Sequence, residues 1–201
     1  MRWIGFYDYT VILTYLSLLS GLIGMKNAAD GRFGAAMVCL LVSGVCDLFD
    51  GAVARTKKGR TEDEKNFGIQ LDSLCDIVCF GVFPAVFLYC SGMDSWFGIA
   101  ILLLYVLCAL IRLAFFNVLE IKRQRSEGGC AKEYRGLPVT SAAIIFPVMY
   151  VIGLAAPQIS LGLYYGAALL MSVLFIADFR VPKLDIAKWL HKDDDQKQDA
   201  L

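Results

Sequence analysis

Apolar stretches long enough to cross a bilayer alternate along this chain with short clusters of charge. A helix rises about 1.5 Å per residue, so about 20 mostly apolar residues cover a hydrocarbon core about 30 Å thick. On that measure six spans are expected, at Tyr9–Met25, Arg32–Lys58, Thr61–Cys90, Trp96–Glu120, Thr140–Ala155 and Ser160–Phe179. The second and third exceed the bilayer and are expected to project into water at one end. The fold class is all-α: a polytopic membrane protein with six transmembrane helices. The first apolar run has no basic leader beyond Arg2 and no small-residue cleavage pattern, so it reads as a span and not as a removed leader.

Composition agrees, since 58% of the 201 residues are hydrophobic against roughly half in soluble domains. Formal net charge is zero, which gives no basic footprint for nucleic acid. Placement of the charges is more informative than their sum. With the N-terminus inside, sixteen of the nineteen lysines and arginines fall on one face, and only Lys26 and Arg32 fall on the other. Cations accumulate on the cytoplasmic side, so both termini and the loop between spans two and three are expected there. Residues 1–180 then form one membrane catalytic domain, and 181–201 a cytoplasmic tail. That tail ends in "HKDDDQKQDAL", whose composition predicts disorder and makes His191 a solvated side chain. Trp3, Trp96 and Trp189 fit interfacial anchoring. The seven cysteines lie mostly within spans or on the reducing side, so disulfides are not expected. Cys75 and Cys79 read as small packing residues rather than a soft-metal pair.

The unusual segment is the hairpin joining residues 32–58 to 61–90. Lys57-Lys58-Gly59 reads as a helix end with cations against the dipole and a glycine cap. Thr61-Glu62-Asp63-Glu64 reads as an N-cap with a capping box, which accounts for those three acids. Asp47 and Asp50 then lie about 18 and 14 Å before Gly59, and Asp72 and Asp76 about 17 and 23 Å after Thr61. Spacings of three and four residues put each pair on one helix face. Four carboxylates thus converge at one level across the hairpin. Intramembrane charge costs several kcal/mol unless it is paired or hydrated, so such residues point to function. An all-oxygen donor set selects hard divalent cations such as Mg²⁺, Mn²⁺ or Ca²⁺, and two pairs can hold two ions. The alternative is an Asp50–Arg55 ion pair with the other acids facing water. Gly51 and Ala54 share the face of Asp47 and Asp50, and Gly68 lies one turn before Asp72. These small residues read either as clearance for a ligand or as sites of close helix approach.

Asp47-x-x-Asp50-Gly51-x-x-Ala54-Arg55 followed by Gly68-x-x-x-Asp72-x-x-x-Asp76 resembles the signature of the CDP-alcohol phosphotransferases. The resemblance extends to the six-span plan of the whole chain. One departure is the connector Thr56–Phe67, twelve residues where the family usually has eight. The resemblance implies transfer of a phosphatidyl group from a CDP-linked lipid to an alcohol, with release of CMP. It implies that Asp47, Asp50, Asp72 and Asp76 hold two divalent ions, Mg²⁺ or Mn²⁺, and that Asp76 is also the general base. Gly51, Ala54, Arg55 and Gly68 would flank the cytidine diphosphate. A homodimer in the cell membrane, with its active site toward the cytoplasm, is the expected assembly. Gly162 and Gly166 are candidates for the subunit contact.

Within the family, "LDSLCDIVCFGVFPA" (Leu71–Ala85), "IRLAFFN" (Ile111–Asn117) and "YRGLPVTSAA" (Tyr134–Ala143) look like segments of phosphatidylserine synthases. That resemblance implies CDP-diacylglycerol and L-serine as substrates. Serine carries a carboxylate, for which Arg112 and Arg135 are the candidate partners, with Asn117 orienting the substrate. Each has a plainer role available: a structural pair for Arg112, membrane-side anchoring for Arg135, a helix end for Asn117. Thr10 and Thr14 read as bonding their own helix backbone. The competing functions are transfer to another alcohol (inositol phosphate, glycerol phosphate or choline) and divalent-cation transport, although no internal repeat supports a transporter.

Overall fold

The computed structural model describes residues 5–7, 9–54, 56–57, 59–125, 133–178 and 180–182. After one 3₁₀ turn at Tyr9–Val11 come α1 (Ile12–Ala29), α2 (Phe33–Ala54) and α3 (Glu62–Asp76). α3 runs without a break through a π-helical turn, Ile77–Val82, into α4 (Phe83–Cys90). Beyond it lie α5 (Trp96–Arg125), α6 (Ala142–Ala155) and α7 (Pro157–Ile176). Counting α3 to α4 as one rod, these are six helices. Five are long and apolar enough to cross a membrane, at Tyr9–Ala29, Phe33–Val53, Glu62–Cys90, Trp96–Lys122 and Pro157–Ile176. The sixth, Val139–Ala155, is apolar but shorter and carries Pro147 inside it. Large apolar side chains such as Leu19, Val38, Leu103, Leu154 and Val173 lie on the outside. In water they would be a liability; against lipid they need no cover.

Two boundaries differ from expectation. α2 stops at Ala54, a turn before the lysine pair. The Thr56 hydroxyl donates back to the Val53 carbonyl at 2.7 Å, and Lys57 leaves the helix to pair with Glu64 at 3.2 Å. Gly59 therefore serves the turn, with φ of +76°, and does not cap α2. The second difference is a two-stranded antiparallel ribbon among the otherwise helical elements of the described residues. β1 (Glu133–Arg135) pairs with β2 (Arg180–Pro182), with Arg135 opposite Arg180. Strands three residues long carry too little periodicity to be read from sequence.

α1 is the wedge that organises the rest. The hydroxyls of Ser17 and Ser43 donate reciprocally to each other's backbone carbonyl, at 3.2 and 2.9 Å, and Ser20 donates to the Cys39 carbonyl at 2.8 Å. Those bonds hold α1 on α2. Its glycines receive the third rod: a Cβ on Gly24 would lie 2.2 Å from Phe83 Cζ, and one on Gly21 would lie 2.9 Å from Cys79 Sγ. Cys75 and Cys79 donate to the carbonyls of Thr14 and Ser17, at 3.2 and 3.4 Å. Both cysteines thus pack against α1, as small apolar residues should.

Candidate active site

The hairpin between α2 and α3 builds the site from its turn upward. Thr61 caps α3 by accepting from the Glu64 N–H at 3.2 Å, while Glu64 accepts from the Thr61 N–H at 2.8 Å. This reciprocal box fixes where α3 begins, and hence the faces on which Asp72 and Asp76 emerge. From α2, Asp47 and Asp50 meet them. Asp47, Asp50 and Asp72 each offer a carboxylate oxygen, and the three oxygens lie within 4.8 Å of one another. Asp76 stands outside that triad and interacts with Asp47, as Asp72 does with Asp50. The acids therefore face one another in two cross-helix pairs.

The donor chemistry fits a hard divalent cation. All the ligating atoms are carboxylate oxygens, and Asp72 Oδ1 is buried with no hydrogen-bond partner. A cation bound at about 2.0–2.6 Å keeps opposed ligands about 4–5 Å apart, so the triad needs little closure to hold one.

Beside the acids a cavity of about 190 Å³ opens, lined by Thr10, Thr14, Asp50, Gly51, Arg60, Lys65, Gly68 and Asp72 among others. Gly51 and Gly68 both border it, and the Arg60 guanidinium lies across Gly68. Ala54 falls on the last turn of α2, and Arg55 lies outside the described residues. Thr14 corrects one expectation. Its hydroxyl donates to Asp50 Oδ2 at 3.3 Å across the α1–α2 interface instead of turning back on its own helix. Arg60 and Lys65, which sequence reasoning treated only as cytoplasmic-side charge, also face the cavity. The available signal was Gly68: a glycine inside a helix costs about 1 kcal/mol, which suggests that something lies across it.

The acceptor candidates are elsewhere. Arg112 is buried, donates to the Phe175 carbonyl at 3.3 Å and stacks its guanidinium 4.5 Å from the Phe116 ring centre. It borders a separate cavity of about 250 Å³ with Phe115, Phe116, Phe175 and Asp178. Gly136, at φ of +64°, makes room for it, since a Cβ there would lie 2.6 Å from Arg112 Nη1. Asn117 accepts from the Ser73 hydroxyl at 2.7 Å and so ties α5 to α3. Arg135 lies in β1.

A cluster of carboxylates on one apolar helical hairpin, beside a cleft with small residues and cations, is a site able to hold a divalent metal ion. Residues 9–178 match the family profile of CDP-alcohol phosphatidyltransferase, and the chain belongs to that family. It is 34% identical over 178 residues to the archaetidylserine synthase of Methanothermobacter thermautotrophicus, covering 87% of this chain and 69% of that one. It is 34% identical over 152 residues to the CDP-diacylglycerol–serine O-phosphatidyltransferase of Mycobacterium tuberculosis, covering 75% and 49%. To the protein of the same name from Helicobacter pylori it is 27% identical over 188 residues, covering 91% and 75%. The chain thus spans about half the length of the mycobacterial relative.

Proposed function

We propose that the protein is a phosphatidylserine synthase, transferring the phosphatidyl group of CDP-diacylglycerol to L-serine and releasing CMP. The observation that carries this is the carboxylate triad of Asp47, Asp50 and Asp72, its oxygens within 4.8 Å of one another beside an open cavity. Asp47, Asp50, Asp72 and Asp76 would hold two divalent ions, Mg²⁺ or Mn²⁺. Such ions, when bound, neutralise charge developing on the phosphoryl group and on the departing CMP. The chain's own residues supply the rest. Gly51, Ala54 and Gly68 would flank the cytidine diphosphate, and Arg55 would offer a guanidinium fork to it. Thr14, by donating to Asp50 at 3.3 Å, fixes the orientation of that carboxylate. Asp76 takes the proton from the serine hydroxyl as its oxygen attacks the phosphorus that carries the lipid. The bond from that phosphorus to the CMP oxygen breaks, and CMP leaves with the electron pair.

Serine carries a carboxylate that suits a guanidinium, and Arg112 is the candidate partner for it. Asn117 and Arg135 complete the acceptor candidates. The archaeal and bacterial relatives, whose names specify serine transfer, point the same way.

The distribution of lysine and arginine supports cytoplasmic termini and an active site opening on that side of the cell membrane. Residues 1–180 would act as one catalytic domain; the tail beyond 182, with His191, lies outside the described residues. A homodimer is the expected assembly, with Gly162 and Gly166 of α7 as candidates for the subunit contact. The test is an acceptor panel. Purified protein with CDP-diacylglycerol and Mg²⁺ or Mn²⁺ should release CMP with L-serine. Release that ignores serine and follows inositol phosphate, glycerol phosphate or choline would transfer the assignment to that alcohol.

A further inference from the structure

Arg60 belongs to the lengthened connector, outside every position of the family signature. It nevertheless borders the same cavity as Asp50 and Asp72. Its guanidinium lies across Gly68 so closely that a Cβ there would come 2.8 Å from Nη2. Nη2 donates to the Glu64 carbonyl at 3.1 Å, which anchors the fork on the first turn of α3. Nε is buried and has no hydrogen-bond partner, and the side chain borders the same cavity as Asp50, Gly51 and Asp72. A buried N–H left unsatisfied is destabilising, and arginine holds its charge under all working conditions. Placing that group in a polar cleft is therefore costly unless something else completes it.

Charge balance points to what completes it. Two divalent ions would cancel four carboxylates and leave the charge of a diphosphate to be met by cations of the chain. Lys65, also on the cavity, is partly engaged with Glu62 at 3.7 Å. Arg60 presents the planar fork that suits paired phosphate oxygens. We propose that Arg60 is a diphosphate-binding residue of the donor site, delivered by the connector and seated on Gly68. The proposal rests on assigning this cavity to a CDP-linked donor and is independent of the acceptor's identity.

The test is calorimetric binding of CDP and of CMP to the purified full chain in detergent with Mg²⁺, for wild type, Arg60→Gln, Arg60→Lys and Gly68→Ala. The two nucleotides differ only in the second phosphate. Arg60→Gln should weaken CDP binding about tenfold or more, the loss expected for a charged hydrogen bond, and CMP binding by no more than about twofold. Arg60→Lys should recover part of the loss. Gly68→Ala should weaken CDP binding in wild type and add little in the Arg60→Gln background, because the seat it fills is then vacant. An unchanged ratio of CDP to CMP affinity in Arg60→Gln would overturn the proposal, whether both affinities hold or both fall together. A wild type that binds neither nucleotide would instead refute the donor assignment, and the role of Arg60 with it.

Discussion

Tyr105→Phe removes a single oxygen, and the structure gives that oxygen one task. Tyr105 is fully buried on α5, and its hydroxyl donates to the Phe80 carbonyl at 2.6 Å. In a regular α-helix the Phe80 carbonyl would accept the N–H of residue 84, but residue 84 is proline. The chain answers with a π turn over Ile77–Val82, in which the Phe83 N–H reaches back to the Val78 carbonyl. The Tyr105 hydroxyl supplies the donor that Pro84 cannot. Losing it leaves a buried carbonyl short of a partner, at a cost of about 1–3 kcal/mol. The π turn begins directly after Asp76, so a shift there should also lower turnover. The decisive comparison is a double-mutant cycle with Pro84→Ala, whose restored N–H can take over the Phe80 carbonyl. Thermal or denaturant unfolding in detergent should show Tyr105→Phe costing less in the Pro84→Ala background, by about 1 kcal/mol or more. Equal costs in both backgrounds, or a cost in wild type below about 0.5 kcal/mol, would refute this account of the turn.

Asp76→Asn should nearly abolish CMP release while CDP-lipid still binds, and Asp72→Asn, which removes a triad carboxylate, should weaken divalent-ion binding the more strongly of the two; near-normal turnover in Asp76→Asn would remove it as the base. Thr14→Val deletes the donor to Asp50 while keeping the packing volume, and should raise the Mg²⁺ concentration needed for half-maximal turnover several-fold, with little change in unfolding temperature. Thr61→Ala breaks the capping box and should destabilise the start of α3 by about 1 kcal/mol, read as faster amide exchange over Glu62–Lys65 with slower exchange retained in α4. Gly24→Leu places a side chain where even a Cβ would lie 2.2 Å from Phe83 Cζ, and should cost folded yield outright; normal yield would mean that α1 does not pack on the third rod as described.

What the sequence disclosed and what it withheld divide along a physical line. Helices, their approximate ends and the shared faces of the acid pairs follow from local rules: apolar length, capping residues, and neighbours three or four positions apart. The Thr61–Glu64 box and the meeting of Asp47, Asp50 and Asp72 needed nothing else. Contacts between segments distant in the chain have no such period. Thr14 reaches Asp50 across 36 positions, and Tyr105 reaches Phe80 across 25. From sequence alone a threonine in α1 has a backbone carbonyl of its own within reach, and that local option looks sufficient. Tertiary packing overrides it because the Ser17, Ser20 and Ser43 bonds seat α1 on α2, bringing Thr14 and Asp50 together beside the cavity. Gly68 is a parallel case: the missing side chain is legible in the sequence, and its occupant is not. Intrahelical spacing reports room on a face, but only the fold of the connector decides that Arg60 lies there. Glycines next to embedded acids are therefore most informative when read as seats whose occupants are sought in the nearest turn, as well as in the ligand.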